Sequence, residues 1–130
     1  MSEDVLSCKE VNAQYQKNLI YKFMNGHKVL LIILDACRYD TLVNNSHLLK
    51  PFVFNIHKVV SSGSCTPDWL LFTFTKPLNA VYVTANPMIW TVKSVHDKFK
   101  KIIDVSAKHF DEKYQTIRPF YLNLVALKYL

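Results

Sequence analysis

A cluster of charged residues directly after an apolar run is the part of this sequence best suited to chemistry. Residues 29–34 are all apolar, and Asp35, Arg38 and Asp40 follow immediately. An apolar block of this length, rich in β-formers, predicts a strand buried on both faces of a parallel sheet. Because ligands bind at the carboxyl ends of strands in such sheets, Asp35 is expected at a site rather than in a packing role.

A polar loop supplies the second candidate segment. Residues 61–69 have the sequence S-S-G-S-C-T-P-D-W. Thr66 fits the N-cap of a helix, Pro67 the first helical position, and Asp68 is favourable to the helix dipole. The cap alone explains Thr66, but a hydroxyl at a helix N-terminus also lies where unpaired N–H groups bind anions.

The elements that must position these residues alternate between helices and strands. A capping box, Ser7 to Glu10, predicts a helix of about five turns that ends at Asn25 and Gly26. The other predicted elements are a strand at 29–34, a helix or turn at about 40–49, a strand within 52–60, a helix after Thr66, strands at 80–84 and 102–105, and a helix from Pro119. This order predicts one α/β domain, 1–130, a three-layer sandwich around a mainly parallel sheet.

Composition excludes several classes of protein. With 2 glycines there is no glycine-rich phosphate loop. No apolar stretch is long enough for a transmembrane helix, and the acidic N-terminus does not resemble a signal peptide, so a cytoplasmic protein without membrane contact is expected. The net charge of +6 favours phosphate-bearing partners. Aromatic residues Trp69, Trp90, Phe72 and Phe74 are expected in the core, and the lysines on a solvated face.

The cysteines form no metal-binding motif. Cys8, Cys37 and Cys65 include no C-x-x-C spacing, and they are expected to be free, small and buried. Cys37 and Cys65 both follow predicted strand ends, so a bridge between them is the alternative, one that is normal only in a hyperthermophile's cytosol.

Three segments, in order, resemble the sulfatase-like branch of the alkaline phosphatase superfamily, and archaeal sulfatase-like proteins above all. They are L-D-A-C-R-Y-D at 34–40, the 61–69 loop, and V-Y-V-T-A-N-P at 81–87, and the likeness continues at 104–105, 110–111 and 115–119. The resemblance implies an alkaline-phosphatase-like fold and metal-dependent ester hydrolysis. It implies a metal ligand at Asp35 and a nucleophile at Thr66, while Arg38 offers a guanidinium fork for the anionic group.

The sequence also departs from that family. Its C-terminal half, with D-H and H-x-H metal ligands, would follow Leu130, and the five histidines are scattered singly. The sulfatase signature C-x-P-x-R is absent, because Trp69 stands where the arginine is needed. Asp35 and Thr66 are too few ligands to hold zinc, manganese or magnesium tightly. We therefore expect a reduced, non-catalytic domain with an anion pocket between Asp35, Arg38, Ser64 and Thr66, and with Asn86 at its rim.

Two other functions are compatible with the same residues. The first is a metal-dependent phosphoester hydrolase with Thr66 as nucleophile, completed by a second subunit or by Asp104, Asp111 and a histidine. The second is a basic nucleic-acid-binding protein, which steeply salt-dependent binding would identify. A reduced sheet leaves an edge to be covered, so self-association is expected. A truncated copy of an archaeal gene of this family is the kind of gene that a virus of an archaeal host carries, and such a virus is the expected source.

Overall fold

The structure, a computed structural model, describes residues 12–50, 55–108 and 110–129. Helices and strands are mixed along the chain, as in the α/β class. The helices are α1 (Ala13–Met24), α2 (Tyr39–Asn44), α3 (Thr66–Thr73), α4 (Lys93–His96) and α5 (Pro119–Leu127). The strands are β1 (Leu78–Thr84), β2 (Phe99–Asp104), β3 (Phe110–Asp111) and β4 (Thr116–Ile117). Two 3-10 helices, Ser46–Leu49 and Pro87–Thr91, complete the described elements.

A small parallel sheet is the centre of the fold. β1 pairs with β2 in parallel, and Thr84 lies opposite Asp104 at the carboxyl end. The 3-10 helix Pro87–Thr91 and α4 form the crossover that a parallel pair requires. β3 and β4 form a separate antiparallel pair. The strands predicted at 80–84 and 102–105 are confirmed, and each begins earlier than predicted.

The hydrophobic core lies between this sheet and the helices around it. Phe74, directly after α3, is buried as predicted, and its ring packs edge-on against Trp69 and Phe99 with centroid distances of 5.7 and 4.9 Å. The buried residues of this cluster are Ile20, Leu70, Phe74, Leu78, Ile89, Val92 and Val95. The prediction that Trp90 is buried is wrong. Its neighbour Ile89 turns into the core, and 47% of Trp90 stays exposed.

The first helix is shorter than predicted. It begins at Ala13, because the side chain of Asn12 caps it by accepting a hydrogen bond from the Tyr15 backbone N–H at 3.0 Å. The helix therefore has about three turns instead of five. The capping box from Ser7 to Glu10 lies outside the described residues. The predicted end is confirmed: the helix stops at Met24, and Gly26 adopts a φ of +90°.

The apolar run 29–34 is not the doubly buried strand that its composition predicts. Within the described ranges it has no strand partner, since β1 pairs only with β2, and residues 30–34 are between 38% and 64% exposed. The strand predicted within 52–60 is also missing from residues 55–60, where Val59 alone makes a bridge. The polar side chains of Asn55, His57 and Lys58 are exposed there, and residues 52–54 lie outside the described residues.

The remaining predictions concern shorter segments. The helix predicted near 40–49 is present as α2 and the following 3-10 helix, and α5 begins at Pro119 as expected. Cys37 and Cys65 are free, as predicted, but both are exposed, so their predicted burial is wrong; Cys8 lies outside the described residues. Among the helices that the structure describes, none has the length and apolar character needed to cross a bilayer.

Candidate functional site

Three of the predicted site residues meet at the carboxyl end of the sheet. Asp35 Oδ2 accepts hydrogen bonds from Thr66 Oγ1 at 3.3 Å and from Asn86 Nδ2 at 2.8 Å. These partners are 31 and 51 residues away from Asp35 in the sequence. The structure thus brings the apolar run, the polar loop and the end of β1 to one point, as the strand-end argument predicts.

Asn86 is held in place by the turn that follows β1. Its backbone N–H donates to Thr84 Oγ1 at 2.9 Å, and the same hydroxyl donates to the Asn86 carbonyl oxygen. Its side-chain Oδ1 accepts from the Met88 N–H at 3.0 Å and caps the 3-10 helix Pro87–Thr91. With Oδ1 occupied in this way, the amide N–H2 group is turned towards Asp35.

Thr66 is the first residue of α3 and not its N-cap, which corrects the sequence prediction by one position. Cys65 is the N-cap residue and provides no side-chain cap. The Thr66 hydroxyl donates to Asp35 instead of accepting a first-turn N–H. The start of α3 therefore keeps backbone donors that no side chain caps, in the position where helices bind anions.

Arg38 and Ser64 lie near this centre but make no hydrogen bond to Asp35. Arg38 forms two hydrogen bonds to Asp40, from Nε at 3.0 Å and from Nη2 at 2.8 Å. The guanidinium holds the pKa of Asp40 below its usual value. The two side chains are 78% and 57% exposed, so this is a surface ion pair. Ser64 is exposed in the loop before α3.

A second carboxylate, Asp104, ends the neighbouring strand. Its Oδ2 accepts from Trp90 Nε1 at 2.6 Å and its Oδ1 from the Ser106 N–H at 2.8 Å. Burial raises the pKa of Asp104, but the hydrogen bonds from Ser106 and Trp90 outweigh it, and the net pKa is below the usual value. The sequence already contained the signal, since Asp104 lies near the end of the strand predicted at 102–105.

Tyr82 lies on β1 and responds electrostatically to the same site. Burial raises the pKa of its phenol, the Thr84 hydrogen bond lowers it, and the charge of Asp35 raises it further. The sequence analysis did not single out this residue, because a tyrosine in an alternating strand is ordinary core. The negative charge of Asp35 therefore acts on at least one side chain of β1, the Tyr82 phenol.

The side chains around Asp35 do not fit a tightly held metal ion. Asn86 presents N–H2 and not oxygen to this point, and the described ranges contain no group of three His, Cys, Asp or Glu residues that could hold a metal. A zinc site needs at least three protein ligands. Asp104 binds Trp90, and Asp111 pairs with Arg118 at 2.5 Å, so neither is joined to Asp35. His109 lies outside the described residues.

Comparison with known proteins gives no match: no family model, no curated protein and no solved structure corresponds to this chain. The contacts of the site itself are therefore what indicates a function. Those contacts are a carboxylate, a helix-terminal hydroxyl and an amide in one hydrogen-bonded group, with an exposed arginine nearby.

Proposed function

We propose that this protein is a reduced domain of the sulfatase and phosphatase type that binds a phosphoryl or sulfuryl group without hydrolysing it. One observation supports this above all others. The hydroxyl that opens the uncapped helix α3 lies beside Asp35 and Asn86, at the end of a parallel sheet. Helix termini and strand ends of this kind are where α/β proteins bind anionic groups.

The proposal includes the three-layer, alkaline-phosphatase-like origin of the domain, in which residues 29–34 keep the alternating exposure of a strand although they have no strand partner in the described residues. Exposure along this run alternates as in a strand: Leu30, Ile32 and Leu34 are 49%, 64% and 61% exposed, whereas Leu31 and Ile33 are 38% and 43% exposed. Asp35 at its end meets Asn86 after β1, as two parallel neighbours would require. Both observations support this origin.

Arg38 provides the positive charge in this proposal. Its present partner is Asp40, and exposed ion pairs of this kind contribute little to stability. An incoming anion can therefore replace Asp40 at little cost. The anion would accept from the Arg38 fork and from the free N–H groups of α3, because the one O–H of Thr66 already donates to Asp35. Asp35 orients Thr66 and Asn86 and does not touch the anion.

A second candidate function is the metal-dependent phosphoester hydrolase. The observation that favours it is the 3.3 Å hydrogen bond from Thr66 Oγ1 to Asp35 Oδ2. A carboxylate in this position can accept the proton of the hydroxyl group when that group acts as the nucleophile. In this alternative, Asp35 binds the metal ion and a second copy of the chain supplies the missing ligands. In the first function the negative charge of Asp35 repels the bound anion, and in the second it binds the metal ion. Removing this charge therefore distinguishes the two functions.

The test is titration calorimetry with inorganic phosphate and sulfate at constant ionic strength. If Arg38 binds the anion, Arg38→Gln should weaken binding about tenfold or more, because a hydrogen bond to a charged group contributes about 1.5–3 kcal/mol. Asp35→Asn should tighten binding, because it removes a repulsive charge and keeps an oxygen for Thr66. Arg118→Gln is the matched control, since Arg118 pairs with Asp111 away from the site.

The same variants then enter a hydrolysis assay with phosphate and sulfate esters, with and without zinc, manganese and magnesium. Turnover that needs a metal and disappears in both Asp35→Asn and Thr66→Ala would establish the hydrolase and refute the non-catalytic proposal. Phosphate binding that depends on Arg38, without turnover under any metal, would support the proposal.

A further inference from the structure

Helix α5 is apolar on its outer side as well as on its inner side. It packs against β1. The half-buried residues of its inner side are Leu122, Val125 and Ala126. On the opposite side Phe120, Leu124 and Leu127, the α5 stripe, recur at positions i, i+4 and i+7 and are 65%, 44% and 55% exposed. Because a surface helix normally directs polar side chains outward, the α5 stripe is suited to a further contact.

Positive charge lies beside the C-terminal end of the α5 stripe. Lys128 follows Leu127 directly and is exposed. Lys101 of β2 donates to the Tyr129 hydroxyl at 3.5 Å, and its ammonium group lies 5.4 Å from the centre of the Tyr129 ring. The sequence contains no acidic residue from 113 to 130. A partner that covers the stripe therefore meets positive charge at this end.

Exposed aromatic residues lie on the hairpin that is attached to the other end of α5. Arg118, which precedes α5, forms an ion pair with Asp111 of β3. Phe110 and Tyr114 of the β3–β4 hairpin are 52% and 60% exposed. The Lys113 ammonium group lies 5.2 Å from the centre of the Tyr114 ring. Aromatic rings beside lysine side chains are the combination that proteins present to the boundary between water and lipid.

The charge of this part of the chain decides which kind of partner fits the α5 stripe. Residues 98–130 contain seven Lys and Arg residues against three Asp and Glu residues, so they carry +4 of the net charge of +6. A second copy that packed on the same stripe would bring two such regions together, and like charges repel. A bilayer with anionic lipids supplies both an apolar environment for the stripe and negative headgroups for the lysines.

We propose that α5 binds the surface of a membrane that contains anionic lipids. The helix lies parallel to the bilayer, with the α5 stripe in the boundary between headgroups and acyl chains and with Lys101 and Lys128 at the headgroup phosphates. The expectation of a protein without membrane contact was based on the lack of a transmembrane stretch and of a signal peptide, and surface binding needs neither. This contact is separate from the anion site at the end of β1.

The test is flotation of the full chain with lipid vesicles, beside a sample without vesicles. One set of vesicles contains phosphatidylcholine alone, and the other also contains phosphatidylserine. We expect binding to the second set only, and weaker binding as the salt concentration rises. Leu124→Gln combined with Leu127→Gln should weaken binding about tenfold or more, because two apolar side chains no longer enter the lipid. Lys101→Gln should weaken it about fivefold, which is the contribution of one basic residue near the membrane surface.

Leu48→Gln and Lys50→Gln are the matched controls. Both residues are exposed, and they belong to another element, the 3-10 helix Ser46–Leu49 and its C-cap. Neither substitution should change vesicle binding. Circular dichroism checks that each variant keeps the fold, which is expected because every substituted side chain is exposed.

Four outcomes would overturn the proposal. The first is that the chain binds neither set of vesicles, or binds both equally. The second is an equal loss of binding in the α5 variants and in the controls, because the contact would then not belong to α5. The third is binding that inorganic phosphate abolishes at constant ionic strength, because the anion site would then hold the headgroup. The fourth is self-association that the α5 variants abolish without any vesicle binding, which would assign the stripe to a second copy.

Discussion

Gly63 is a point of close approach between the loop before α3 and the helix itself. A Cβ atom added at this position would lie 2.3 Å from the Cβ of Asp68 and 3.2 Å from backbone atoms of Asp68 and Trp69. None of these atoms is the end of a flexible side chain, so the loop itself must move. We expect Gly63→Ala to lower the free energy of unfolding by about 1–3 kcal/mol, measured by chemical denaturation.

Ser64→Ala is the matched control for that substitution. Ser64 is the next residue and is exposed, so its replacement should change stability by less than about 0.5 kcal/mol. Equal denaturation midpoints for Gly63→Ala and wild type would contradict the close approach of the loop to α3.

The lowered pKa of Asp104 predicts a dependence of stability on pH. In the unfolded chain an aspartate has a pKa of about 3.9, and in the fold the pKa of Asp104 is lower. The stability that this carboxylate contributes is therefore complete above the unfolded value and is lost as the pH falls through the folded value. We expect the stability difference between wild type and Asp104→Asn to shrink as the pH is lowered from about 5 to 2.

Trp90 fluorescence should change in the same acid range, because protonation of Asp104 weakens the bond to the indole N–H. Asp97→Asn provides a comparison at an exposed carboxylate. A stability difference for Asp104→Asn that is independent of pH would show that the hydrogen bonds from Trp90 and Ser106 do not favour the ionised form.

At the scale of elements, Tyr21 joins α1 to the segment before β1. Its hydroxyl donates to the Lys76 carbonyl oxygen at 3.0 Å and accepts from the Lys76 N–H at 2.9 Å. Tyr21→Phe removes both bonds and keeps the ring. We expect a loss of about 1–2 kcal/mol in the free energy of unfolding. Tyr114→Phe, at an exposed tyrosine of the β3–β4 turn, should leave stability unchanged.

The elements that the sequence predicts correctly are those with local signals. β1 has its run of β-forming residues, α5 its initial proline, and α3 its Thr-Pro start. The run 29–34 was predicted wrongly because burial of a strand depends on neighbours that its own residues do not encode. The predicted start of α1 was wrong because Asn12 is also a good N-cap residue, and the helix begins directly after it.

The candidate site was predictable to the same extent. Asp35, Thr66 and Asn86 end or begin elements at one edge of a parallel sheet, so simple topology brings them together. Arg38 is paired with Asp40 at the surface, and its predicted contact with an anion stays a prediction. The exposure of Trp90 could not be predicted, because a 3-10 turn decides which of Ile89 and Trp90 enters the core.

For the whole molecule, the open face of residues 29–34 bears on the expected self-association. Ile32 is the most exposed residue of this run, at 64%. A continuous apolar segment without a strand partner in the described structure is a template for pairing with another chain. We expect concentration-dependent association of the wild type in light scattering, and Ile32→Lys should reduce it.

Leu48→Lys adds the same charge at an equally exposed leucine of the 3-10 helix Ser46–Leu49 and should leave association unchanged. A wild-type chain that stays monomeric at all concentrations would contradict the prediction. Association that both variants abolish equally would point to net charge, and not to the run 29–34, as the cause.

The long sequence separation of the contacts to Asp35 has a consequence for the order of folding. β1 and β2 are close in sequence and can pair early, whereas the bonds from Thr66 and Asn86 close loops of 31 and 51 residues. Closing long loops costs chain entropy, so contacts of this kind form late and open first. Amide hydrogen exchange should therefore be faster at the start of α3 than in β1. The chain would then lose its ligand-binding group through local opening while its core is still folded.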